Sequence, residues 1–166
     1  MSFSFFNKKD KQQAGDNEIM PQENNVLSME SIKIGLDSVS KEEAIEMAGQ
    51  LLVDAGHVTQ EYIPAMKERE KVLSTYIGEG IAIPHGVGGA KDKIISTGIS
   101  VLQFPEGVEF VEGEKAYLVV GIAGKGNEHM KILTNLAEFI SEGQEIKKLF
   151  TTKDKSKIFE AFTNKI

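Results

Sequence analysis

The sequence predicts an α/β fold, and three observations carry that expectation. Ala116-Tyr-Leu-Val-Val-Gly-Ile-Ala123 is a nearly continuous apolar run, the pattern of a central strand covered on both faces. Apolar residues within 44–55 and 130–140 recur instead at helical spacing, one side of a helix at a time. These helical stretches stand before, between and after the strand-like ones, which places helices in layers against a sheet while leaving the strand order open.

The elements follow in order. Residues 1–25 are dominated by Asn, Gln, Lys, Asp and Glu and offer little apolar surface to offset the entropy of ordering, so a flexible tail is expected. Phe3, Phe5 and Phe6 beside Lys8 and Lys9 suit a weak membrane or partner anchor as well as a plain unstructured end. The folded domain is expected over 26–166, starting with Ile32-Lys-Ile34 as a short strand. Ser40-Lys-Glu-Glu43 reads as a capping box that opens a helix whose apolar face is Ala44, Ile45, Ala48, Leu51, Leu52 and Ala55. Gly56 stops that helix, and His57 just beyond it is expected to face water. Thr59 is placed to cap a second helix that runs past Met66 and Arg69 toward Leu73, with Pro64 early enough to be tolerated. Ile81-Ala-Ile83 reads as a buried strand, Ile94 to Phe104 as a longer β-branched one, and Asn127 as the cap of a helix over 128–141. One or two shorter helices are expected to finish the chain.

Composition narrows the function. The 166 residues fit one domain, and a net charge of −6 with lysines interleaved among carboxylates leaves no basic stripe for a nucleic-acid backbone. There is no cysteine, hence no disulfide, thiolate nucleophile or zinc–cysteine site. No window reaches the length of a membrane span and the first residues lack a secretion signal's apolar core, so a cytoplasmic location without membrane insertion is expected.

Two segments invite chemistry. In Gly78-Glu-Gly-Ile-Ala-Ile-Pro-His85-Gly86, Pro84 ends the strand for want of an N–H and leaves His85 at its tip, before the glycine-rich Gly86-Val-Gly-Gly-Ala90. A histidine there is either built to be reached or merely tolerates a turn. In Gly121-Ile-Ala-Gly-Lys-Gly-Asn-Glu-His129, a second histidine falls in the first turn of a helix, where free N–H groups and the dipole favour an anion and disfavour imidazolium. His129 thus suits a phosphate, or simply faces solvent. Arg69 is the sole arginine in a chain that otherwise uses lysine; its planar fork matches phosphate oxygens, or pairs with Glu70 on its own helix. The histidines lack metal-ligand spacing, the Gly-x-Gly pairs lack the remainder of a nucleotide fingerprint, and no serine sits in a nucleophile elbow. No metal or cofactor is expected.

Gly80-Ile-Ala-Ile-Pro-His-Gly86, Gln103-Phe-Pro-Glu-Gly-Val108 and Gly121-Ile-Ala-Gly-Lys-Gly-Asn-Glu-His129 together resemble the mannitol-type branch of the fructose/mannitol family of EIIA components of the bacterial sugar phosphotransferase system. The resemblance covers about Val26 to Phe162. It implies the EIIA mannitol/fructose-type fold, a mixed central β-sheet flanked by helices. It implies that His85 accepts a phosphoryl group from phospho-HPr and passes it to a cysteine of EIIB, or of an EIIBC mannitol permease at the membrane. On the same ground His129 becomes a phosphate-stabilising group and Arg69 a phosphate contact. His85 is then expected in shallow, largely apolar surroundings open to partners. A regulatory binding module switched by phosphorylation of His85 is the alternative.

Overall fold

A computed structural model describes residues 26–86 and 88–165; the tail expected over 1–25 lies outside the described residues. Five strands form one mixed sheet in the order β1 (Ile32–Lys33), β4 (Gly98–Val111), β5 (Glu114–Ala123), β3 (Ile81–Ala82), β2 (Tyr76–Gly78). β1 runs parallel to β4 and β3 parallel to β5, whereas the β4–β5 and β2–β3 pairs are antiparallel. The apolar run 116–123 is the middle strand, as its two-sided hydrophobicity requires.

Alternation along β4 and β5 divides the core. Ile99, Val101, Leu118, Val120 and Ile122 face one side with Leu136, Phe139, Ile158 and Phe162, while Leu102, Phe104 and Val119 face the other with Ala44, Ala48, Leu52 and Met66. Helices α1 (Lys41–Asp54) and α2 (Tyr62–Val72) therefore cover one face, and α3 (Glu128–Ser141) and α5 (Lys155–Lys165) the other. A short α4 (Gln144–Lys147) links the last two. Among the described residues, no helix is long and apolar enough to cross a membrane.

Start signals in the sequence fare unequally. Ser40 and Glu43 form the reciprocal capping box of α1, with Glu43 N–H donating to Ser40 Oγ at 3.1 Å and Ser40 N–H to Glu43 Oε1 at 3.2 Å. Thr59 and Asn127 cap nothing with their side chains. α2 begins after Glu61, and Thr59 instead gives its carbonyl to Tyr62 N–H. Asn127 sits at the N-cap of α3 with helical backbone, and Thr97 does the anchoring: its hydroxyl accepts from Lys125 N–H at 3.0 Å and donates to the Glu128 carboxylate.

Two further expectations are corrected. The strand expected from Ile94 begins at Gly98, because the carbonyl of His57 takes the N–H groups of Ile95 and Ser96 and turns the chain there. It then runs beyond Phe104 to Val111 through a register shift that accommodates Pro105. His57 does not face water. It is 6% exposed, its Nδ1 lies 3.0 Å from Ser96 Oγ, and its ring occupies the space where a side chain on Gly98 would begin.

Candidate active site

Sheet geometry brings the histidine of the Ile-Pro-His segment to the centre of the site. β3 ends at Ala82, but Ile122 N–H donates to Pro84 O at 2.9 Å and His85 bridges Ile122 in parallel, so the strand direction persists to the ring. Pro84 spends only its carbonyl, the one backbone group it has to give. His85 Nδ1 lies 2.7 Å from the carbonyl of Ile83. A carbonyl only accepts, so Nδ1 carries the proton and Nε2 keeps its lone pair.

The second histidine arrives from α3. His129 is the second residue of that helix, half-buried, and its ring centroid lies 5.1 Å from that of His85 with the planes tilted by 55°. Gly124 makes this approach possible, since a Cβ there would stand 2.3 Å from His129 Cα. Arg69, on the last turn of α2, donates from Nη1 to Leu73 O at 2.6 Å. It does not spend itself on Glu70, which binds elsewhere. Thus the fold brings the rings of His85 and His129 together, and both feel the charge of Arg69.

Burial and neighbouring charge disfavour protonation of both rings. Burial, then the His129 ring and the Arg69 guanidinium, hold the His85 pKa below the ordinary imidazole value, against the opposing hydrogen bond to Ile83 and the Glu70 charge. His129 is lowered by burial and by Arg69. One expectation fails: His85 is 8% exposed rather than open, because Ile122 lines its strand side and His129 covers its ring.

Tyr62 is a site residue that sequence reasoning missed. Its hydroxyl donates to Ile122 O at 2.7 Å and accepts from Gly86 N–H at 2.8 Å, tying the start of the glycine loop to β5. Burial pushes its pKa up to about 12, so it remains a donor. Nothing local marks it, since its partners lie 60 and 24 residues away. A mainly apolar groove of about 660 Å³ reaches Ile83, whose carbonyl holds His85, and is lined by Ile77, Leu133, Leu136 and Ile140 with Glu79 and Ser141. Met130 beside His129, and Val72 and Leu73 at the turn that holds Arg69, are exposed. Among the described residues, no group of three or more His, Cys, Asp or Glu side chains is placed to hold a metal ion.

Fold and site define an α/β domain that leaves one ring nitrogen of a buried histidine free of a backbone partner and within the field of a guanidinium, an arrangement suited to accepting an anionic group. The family described as phosphoenolpyruvate-dependent sugar phosphotransferase system, EIIA 2, matches residues 25–165, and the chain belongs to it. The mannitol-specific phosphotransferase enzyme IIA component of Bacillus subtilis (strain 168) is 49% identical over 137 residues, 82% of this chain and 96% of the relative. The mannitol-specific EIICBA component of Vibrio cholerae serotype O1 is 48% identical over 134 residues, 80% of this chain and 21% of that longer protein. Among solved structures, enzyme IIAMtl in complex with phosphorylated enzyme IIBMtl from Escherichia coli superposes with a TM-score of 0.79 at 41% identity, covering 83% of this chain and 97% of that one.

Proposed function

We propose that this EIIA component carries a phosphoryl group on Nε2 of His85, taking it from phospho-HPr and passing it to a cysteine of EIIB in the uptake of mannitol at a membrane-bound permease. The observation that carries this reading is the 2.7 Å hydrogen bond from Nδ1 to Ile83 O, which leaves Nε2 as the nucleophile. The mannitol assignment rests on the relatives, which are mannitol-specific.

Nε2 attacks the phosphorus as the bond to the donor breaks, and the reverse partition hands the group to the acceptor. Phosphoryl transfer asks mainly for alignment and for cover of the equatorial oxygens' charge. Arg69 supplies a fixed guanidinium and neutral His129 a hydrogen bond, with the N-terminal turn of α3 behind it. The imidazolium formed on transfer keeps its Nδ1 proton on Ile83 O, which stabilises that charge. Val72, Leu73, Ile77 and Met130 give partners an apolar rim for transient docking. The low exposure of His85 runs against the reading, and it demands a donor whose phosphoryl group projects into a recess.

Incubation with phosphoenolpyruvate, enzyme I and HPr, followed by intact-mass analysis at alkaline pH, tests the proposal. Wild type gains one phosphoryl group, His85→Ala none, and His129→Ala takes up the group but transfers it more slowly. Uptake by His85→Ala at the normal rate sinks the site assignment. No uptake by folded wild type would make the burial of His85 decisive and move the regulatory binding module to the front.

A further inference from the structure

Glu70 is buried, yet the chemistry above makes no use of it. It is 7% exposed; its Oε1 accepts from Thr75 N–H at 3.0 Å and from Thr75 Oγ1 at 2.6 Å, and Oε2 lies 3.5 Å from Lys41 Nζ, which also donates to Phe110 O. The turn it grips, 73–75, carries two carbonyls of consequence. Leu73 O accepts from Arg69 Nη1, and Thr75 O accepts from Ile83 N–H at 3.0 Å, while Ile83 O in turn holds His85 Nδ1.

We infer that Glu70 is a positioning residue that sets both Arg69 and the ring of His85 by clamping the 73–75 turn. Resting on the reading that His85 accepts the phosphoryl group, this assigns the orientation of nucleophile and cation to one carboxylate at the end of α2. The clamp is geometric first, since Oε1 must reach both donors of Thr75. A shorter side chain fails where an uncharged one of equal length succeeds. Charge acts in addition: Glu70 is a negative group raising the His85 pKa, opposed by His129 from α3 and by Arg69 from α2.

The test pairs Glu70→Asp, which keeps charge and loses reach, with Glu70→Gln, which keeps reach and an acceptor oxygen. Nitrogen-15 spectra of the histidine rings are recorded beside the rate of phosphoryl uptake. Glu70→Gln keeps the Nδ1–H tautomer and an uptake rate within about threefold of wild type, with the His85 titration midpoint lower. Glu70→Asp gives mixed tautomers and a rate about tenfold lower at an unchanged KM for phospho-HPr, the loss expected when a nucleophile is misaligned. A folded Glu70→Asp with wild-type tautomer and rate overturns the inference, as does a Glu70→Gln protein as impaired as Glu70→Asp. The tautomer spectra need no phosphoryl donor, so an unphosphorylated wild type would sink the proposed function while leaving the clamp measurable.

Discussion

At His85 the fold chooses between two ring nitrogens, and the choice rests on single hydrogen bonds. Ile83 O fixes the proton on Nδ1, while Tyr62 fixes the backbone on either side of the ring by joining Gly86 N–H to Ile122 O. Tyr62→Phe keeps the buried ring but strips both groups of their partner, and an unmade buried hydrogen bond costs about 1–3 kcal/mol. Thermal unfolding should show that loss, together with slower phosphoryl uptake; unchanged stability and rate would mean that the loop holds itself. Proton occupancy at His85 makes a second prediction. Burial and neighbouring positive charge lower its pKa, so the nucleophile stays neutral below the pH at which a free imidazole protonates. The acid midpoint of uptake should therefore lie below pH 6.5, as rate against pH will show. A midpoint above 6.5 would contradict this neutral-ring electrostatics.

Elements differ in how openly the sequence declares them. The α1 capping box, the 116–123 run and the helix over 128–141 depend on neighbours a few residues away, and each appears where periodicity places it. The start of β4 and the burial of His57 depend on contacts between 57 and 95–98, which no local pattern records. The same holds at the site. Motifs and residue types single out His85, His129 and Arg69 as candidates, whereas Tyr62 and Glu70, an aromatic and an acidic residue on an ordinary amphipathic helix, carry no such mark. Gly124 is where element geometry reaches the chemistry. A methyl group there would lie 2.3 Å from His129 Cα, so Gly124→Ala must displace the first turn of α3. Most of α3 packs below that turn through Ile132, Leu136, Phe139 and Ile140, so the variant should fold at a cost of about 1–3 kcal/mol. Its uptake and transfer should match those of His129→Ala. Wild-type kinetics in Gly124→Ala would show that His129 does not act from its observed position.

Across the whole molecule, each of the chain's three histidines has its pKa lowered, and burial is the leading cause every time. His57 lies against the start of β4 and the other two face each other at the candidate site, so the effect belongs to the fold as a whole. The sign follows from linkage. Below about pH 6.5 the unfolded chain protonates its histidines while the folded one resists, so the unfolded state binds more protons and stability rises with pH. The histidines' contribution is complete above 6.5 and is lost as pH falls through the depressed native values. His129 is only half-buried and yields part of its effect to solvent, so proton uptake on unfolding near pH 6 should fall short of three. Unfolding midpoints followed from pH 7.5 to 5.5 should drop, and His57→Gln should flatten the slope without touching phosphoryl uptake. A midpoint that stays level over that interval would mean that the three rings take up protons as readily in the fold as out of it, and would remove the basis for a neutral His85 as well.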